Sequence, residues 1–221
     1  LATKIAYANA LARLCDLIGA DVTQVVKGVG MDKRIGREFL NPGLVGGFCL
    51  PKDLEAFYYI AKQNGYDFKL LQAVKEINET QKDHVINKLE EELWNLEGKK
   101  VAILGLSFKA HTDDLRFAPS LDIIARLLDR GVGVRAYDPV SVDKAKKLLP
   151  NGKVSWARDS YACVEGAHAA ILVTDWPEFE KLNFKKVKAA MALPILVDVR
   201  NFWDPVLLKK MGFRYRGMGR C

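Results

Sequence analysis

The sequence predicts an α/β protein in which a helical central region, closed by one long connecting helix, precedes a doubly wound parallel sheet. Three observations carry this. Apolar residues in the first 97 positions recur at three- and four-residue spacing, the mark of amphipathic helices. Beyond Gly98, short apolar runs alternate with amphipathic stretches, which implies helical crossovers between parallel strands. The charge balance shifts at the same place: the first 98 residues hold 12 Lys/Arg against 14 Asp/Glu, the remainder 22 against 13.

The elements follow in order. Leu1, Ile5, Ala8, Leu11, Ala12, Cys15 and Ile18 line one face of a first helix, and Gly19 suits its C-cap. That helix is in register from its first residue, with neither an initiator Met nor an N-cap residue, so a fragment is expected. A short helix follows Asp21, and Pro51 opens a third at a first helical position. After Asn64-Gly65, the stripe Leu71, Val74, Ile77, Val85, Leu89, Leu93 and Leu96 predicts a helix from about Phe68 to a break at Gly98-Lys99-Lys100. That length is well beyond the usual ~11–12 residues and suits a domain junction or a partner contact. Residues 101–104, 132–137, 169–173 and 194–198 read as buried strands, with helices over 120–128 and 142–149. The expected division is a helical domain over 1–97 and a Rossmann-like domain over 98–221.

Composition bounds the function. With 221 residues, 49% apolar and 28% charged, the chain has room for one or two domains and is neither disordered nor collagenous. No uncharged apolar run reaches the ~18 residues of a membrane span, and no secretory signal is visible. The four cysteines lack CxxC spacing, which argues against a zinc site or a disulfide framework and for a reduced, cytoplasmic protein. The basic residues of the second half are scattered among acids without an aromatic stripe, so nucleic acid is not an expected partner.

Two turns carry chemistry. The first strand runs into Gly105-Leu-Ser-Phe-Lys109, then His111-Thr-Asp-Asp-Leu-Arg116, at the strand end where ligands of parallel sheets sit. GxGxxG is absent, and Asp138 falls 33 residues after Gly105, too far for the ribose acid of a dinucleotide seat at ~20. A phosphate-bearing ligand reached by Lys109 fits better; an ordinary loop with solvated charges is the alternative. The second turn, from Gly46 to Asp53, sets Cys49 at the start of a helix. The helix dipole and Lys52 favour a thiolate there, and Asp53, one turn on, can orient water. A small buried hydrophobe is the competing reading of that Cys. His84 and His168 read as structural, His111 beside Asp113 and Asp114 is a weak metal signal, and Trp176 and Trp203 read as packing residues.

The segments LATKIAYANALARLC, MDKRIGREFLNPG, GGFCLPKD, GLSFKAHTDDLRFAPS, YDP, ILVTDWPEF and DVRNFWDP together resemble the UDP-glucose/GDP-mannose dehydrogenase family over the whole chain. The resemblance implies an NAD-dependent oxidation of a sugar CH₂OH to a carboxylate, with UDP-glucose as substrate, GDP-mannose or another nucleotide sugar as the alternative, and a homodimer or higher homo-oligomer. It implies Cys49 as nucleophile, Asp53 as an activator of water, and Lys52 and Arg116 as NAD contacts. Phe108 and Lys109 match the substrate-nucleotide loop. Phe39, Leu40, Asn41, Pro42 and Gly43, with Gly46, match the loop around the sugar nucleotide. Arg34 matches an arginine given to the neighbouring subunit, and Arg200 or Asn201 a further substrate contact. The family loop ahead of the Cys usually reads like NAGPGYGGSC; here it is one residue shorter and Phe48 replaces the common Ser. The family's GxGxxG domain and catalytic Lys have no counterpart in these residues, so the chain alone is expected to be inactive. A stand-alone nucleotide-binding or dimerisation module is the reading from another class.

Overall fold

A computed structural model describes residues 1–150 and 152–220. Helix α1 (Ala2–Ile18) ends on Gly19, whose φ of 72° is the left-handed cap that glycine adopts without strain. Helix α2 (Val22–Val29) starts where Asp21 accepts the N–H of Thr23. Helix α3 (Cys49–Gln63) begins two residues before Pro51, because Phe48 already has helical torsions. Proline is tolerated within that first turn, where N–H groups lack helical partners. Cys49 is therefore the first residue of the helix, not one that precedes it. Helix α4 (Lys69–Leu93) stops short of Gly98: Trp94 turns to φ 63°, and Leu96, the last residue of the apolar stripe, enters the core from the connecting turn.

Six strands follow: β1 (Lys100–Leu104), β2 (Gly133–Tyr137), β3 (Val154–Trp156), β4 (Ala169–Leu172), β5 (Ile195–Asp198) and β6 (Arg214–Gly217). They form one parallel sheet in the order β3-β2-β1-β4-β5-β6. The strand order reverses between β1 and β4, which opens a crevice at their carboxyl ends. The connections carry α5 (Pro119–Asp129), α6 (Val142–Leu148), α7 (Ser160–Val164), α8 (Pro177–Glu180), α9 (Phe184–Ala190) and α10 (Pro205–Lys210). The four expected strands are the central ones. The edge strands β3 and β6, Val-Ser-Trp and Arg-Tyr-Arg-Gly, are too short or too polar to show as apolar runs.

Alternating side chains fill both faces of the sheet. Val101, Ile103, Ile171, Ile195 and Val197 pack with α5 and with Val85, Ile86, Leu89 and Leu93 of α4. Ala102, Leu104, Ala170, Leu172 and Leu196 pack with Phe179, Trp203, Leu208 and Tyr215. The far half of α4 thus belongs to the sheet's core, while α4 also packs along α1. The carboxyl end closes the same joint: Val22 donates its N–H to Gly219 O (2.8 Å), and Arg220 pairs with Asp21. Among the described residues, no helix is long and apolar enough to cross a membrane.

Candidate active site

At the switch point the chain leaves β1 through Gly105 at φ 91°, where an added Cβ would stand 2.7 Å from Thr174 N. Only glycine fits this turn. The loop beyond is anchored by groups whose anchoring role the sequence does not show. The carboxylate of Asp138, buried at the end of β2, accepts N–H groups from Leu106 (2.7 Å), Ser107 (3.2 Å), Val140 (3.0 Å) and Ser141 (2.8 Å), and the indole Nε1 of Trp176 (3.0 Å). Its oxygens are spent on the loop, so Asp138 serves as a turn anchor and not as a ribose ligand. Thr174 Oγ1 donates to Ser107 O, and Ser120 Oγ to Leu106 O.

Arg200 stands at the end of β5. Its Nη2 donates to Phe108 O and its Nε to Val173 O, both at 2.9 Å, while its backbone N–H goes to Asp198. Burial raises the Asp198 pKa; hydrogen bonds from Trp203 N, Arg200 N and Tyr215 OH oppose the rise. Asn201, the alternative to Arg200, has both ends of its amide engaged with Met218.

A cavity of about 410 Å³ lies over this end of the sheet. Phe39, Asn41, Pro42, Gly43 and Gly46 form one wall, Phe108, Lys109 and Arg200 the other, with Glu38, Leu50 and Asp175 at the edges. Two cations, two aromatic rings and a stretch of polar backbone suit a planar, anionic ligand. Leu40, expected in the loop around the sugar nucleotide, does not line the cavity, and Arg34, expected to serve a neighbouring subunit's site, lies on the surface. The Leu40 side chain, 2% exposed, packs with Ala12, Cys15, Val22 and Val26. Arg34, its side chain 89% exposed, pairs with Asp32 at 2.6 Å.

The Cys49 turn lies against the same loop. A Cβ on Gly47, at φ 83°, would meet the Phe108 ring at 2.8 Å, and one on Gly46 would meet Pro119 at 2.6 Å. The two glycines therefore let the backbone come down onto the 105–119 segment. The Cys49 thiol is exposed. Beside it, Lys52 Nζ and Arg116 Cζ lie 4.9 and 4.5 Å from the centre of the Phe48 ring. Arg116 gives Nε and Nη2 to both oxygens of Asp114, and these bonds hold the Asp114 carboxyl at a pKa of about 2. Asp53 pairs with Lys52 at 3.2 Å. An open hollow of about 930 Å³ runs from Asp113 and Arg116 to Lys144 and Lys147 of α6.

The remaining candidates serve the fold. His84 bonds Asp16 (2.9 Å), and His168 Nδ1 accepts the Lys100 N–H (3.0 Å). His111 sets its ring edge-on to Trp176. Trp203 donates to Phe179 O (3.0 Å) from within the core.

A doubly wound sheet with a cavity bearing Lys109 and Arg200 at its switch point, and an exposed thiol on the turn packed against the Phe108 loop, defines a nucleotide-binding α/β protein. Family comparison narrows the class. Residues 1–80 match the UDP-glucose/GDP-mannose dehydrogenase family, central domain, and residues 102–205 the UDP binding domain of the same family. The chain belongs to this family of nucleotide-sugar dehydrogenases. It is 42% identical over 221 residues to UDP-glucose 6-dehydrogenase TuaD of Bacillus subtilis, covering 100% of this chain and 48% of the relative. It is 44% identical over 229 residues to a UDP-glucose 6-dehydrogenase of Pseudomonas aeruginosa, covering 100% and 50%. The structure of a UDP-glucose dehydrogenase from Pyrobaculum islandicum superposes with a TM-score of 0.89 at 33% identity, over 100% of this chain and 48% of that one. The chain spans about half the length of the curated relatives it matches.

Proposed function

We propose that the chain is the central and nucleotide-sugar-binding part of an NAD-dependent enzyme that oxidises UDP-glucose to UDP-glucuronate. The observation that carries this reading is the seating of Gly46 and Gly47 on Pro119 and Phe108, which sets the turn bearing the exposed Cys49 against the loop that carries Phe108 and Lys109 of the cavity. Lys109 and Arg200 supply positive charge for a diphosphate. Phe39 and Phe108 supply flat apolar surface, and Asn41, Pro42, Gly43 and Gly46 supply the wall around the sugar.

Lys52 and Arg116 fit as holders of the cofactor, because both are exposed cations on one ring beside the thiol and Arg116 keeps Nη1 free of Asp114. NAD, when bound, supplies the two oxidations, each of two electrons. Cys49 Sγ adds to the carbon of the enclosed aldehyde, and the carbonyl oxygen takes up a proton. Once this adduct is oxidised to a thioester, water activated by Asp53 attacks the same carbon, and the thiolate leaves as the carboxylate forms. Division of labour falls at residues 97 and 98: the helical part bears the thiol, the sheet the nucleotide. Pairing of two copies through the helical part belongs to the same reading. It is supported by exposed Phe57 and Ile60 on α3 and by the exposure of the Arg34 side chain.

The test is stoichiometry. The enzyme containing this chain is expected to form two NADH per UDP-glucuronate with no aldehyde caught by an added carbonyl trap. One NADH per sugar, with trapped aldehyde, would contradict it.

A further inference from the structure

The seam between α1 and α4 is polar. Arg13 donates to Gln81 Oε1, Ile77 O and Thr80 Oγ1 at 2.9–3.0 Å, and Asp16 pairs with His84 and Lys88. At the cavity end of the seam stand Asn9 and Asn78, both buried. Asn9 Oδ1 accepts the N–H of Gly43 (2.8 Å), and Asn9 Nδ2 donates to Asn78 Oδ1 (3.3 Å). Asn78 Nδ2 is buried with no hydrogen-bond partner among the described residues. An unpaired buried amide weakens a fold, so stability alone would favour an apolar residue at this place.

What the pair holds is a wall of the cavity. Gly43 is fixed from below by Asn9 and closed in from above, where an added Cβ would stand 3.2 Å from Val199 O and 3.8 Å from Arg200 Nη1. Arg200 in turn bonds Phe108 O. One line of contacts thus runs from α4 through α1, the 39–46 loop and β5 to the loop after β1. Asn9 itself does not line the cavity.

We propose that Asn9, oriented by Asn78, is a positioning residue for the nucleotide sugar: it sets the height of the 39–46 loop above Phe108, Lys109 and Arg200. This rests on the reading of the cavity as the UDP-sugar seat. The alternative role is purely structural, a polar pair that fixes helix register. The two roles separate when both amides are removed together, because matched apolar replacement relieves the orphaned Asn78 amide but not the lost tie to Gly43.

UDP-glucose is titrated calorimetrically into the wild type, Asn9→Leu and the double variant Asn9→Leu/Asn78→Leu, and thermal midpoints are recorded alongside. Arg13 and Asp16 keep the helices in register in each. Asn9→Leu is expected to weaken UDP-glucose binding about tenfold and to lower the midpoint, as loss of one oriented hydrogen bond does. The double variant is expected to recover part of that midpoint, since the Asn78 amide is gone while the Gly43 N–H stays unpaired, and binding is expected to stay weak. Asn9→Asp, which keeps an acceptor for Gly43 and lets the Asn78 amide turn to donate, is expected to regain most of the affinity. Recovery of affinity together with the midpoint in the double variant overturns the proposal, as does unchanged binding in Asn9→Leu. Failure of the wild type to bind UDP-glucose overturns the UDP-sugar reading, and this inference with it.

Discussion

Around Gly105 the loop that leaves the sheet is tied down by buried groups, with Asp138, Thr174, Ser120 and Arg200 each holding a backbone atom. Around Cys49 the chain is held by close backbone approach and by exposed contacts at the Phe48 ring, and Cys49, Lys52, Asp53 and Phe48 are exposed. Binding a nucleotide requires a wall already in place, and strand ends can anchor one at many points. Covalent chemistry requires a reachable group, and the first turn of a helix presents its side chains outward. The two regions meet where Gly46 and Gly47 approach Pro119 and Phe108 and where Phe48 lies against Phe117 and Arg116. Their division explains why an exposed thiol can sit beside a rigid cavity.

This contrast can be broken at either end. Cys49→Ala is expected to lower dehydrogenase turnover by at least about 10³-fold while UDP-glucose affinity and stability, within about 0.5 kcal/mol, stay as they were. Kinetics, calorimetry and a urea curve on the same preparation check it. Asp138→Ala strips a buried acceptor from five donors, and an expected loss of about 3 kcal/mol or more would appear as a lower urea midpoint. Gly105→Ala forces a Cβ against Thr174 at positive φ, with an expected cost of about 1–3 kcal/mol and weaker nucleotide binding. The smallest effect is on pH. Arg116 holds Asp114 below the ordinary carboxylate value, so the stability from this pair is complete above about pH 4 and lost as pH falls towards 2. Asp114→Asn should flatten that part of an acid-unfolding curve.

Helical periodicity, glycine breaks and apolar runs are local signals, and they suffice for α1, α2 and the four inner strands. The ends of α3 and α4 are not local: Phe48 joins the helix ahead of Pro51, and Trp94 leaves it while Leu96 still packs inside. The edge strands β3 and β6 exist because a neighbour offers them a ladder, not because of their own composition. At the site, Cys49 and Lys109 stand out through charge and turn chemistry. Arg200 and the 39–46 wall entered through family resemblance, because no spacing rule connects residue 43 with residue 200. Spacing tests Asp138 only as a ribose ligand, whereas an Asp directly after a strand, followed by Pro, is also a signal for a turn anchor. Asn9 and Asn78 gave no signal, since a buried amide pair looks like any helix-surface Asn until the helices are brought together.

The most direct test of the cavity as a nucleotide-sugar seat is calorimetric titration of the protein with UDP-glucose and GDP-mannose, each repeated on Lys109→Ala. Binding of the uridine ligand alone, lost or weakened at least about tenfold in the variant, is the expected result. Binding that is indifferent to Lys109, or confined to the guanosine ligand, would contradict the assignment of this cavity to a UDP-sugar.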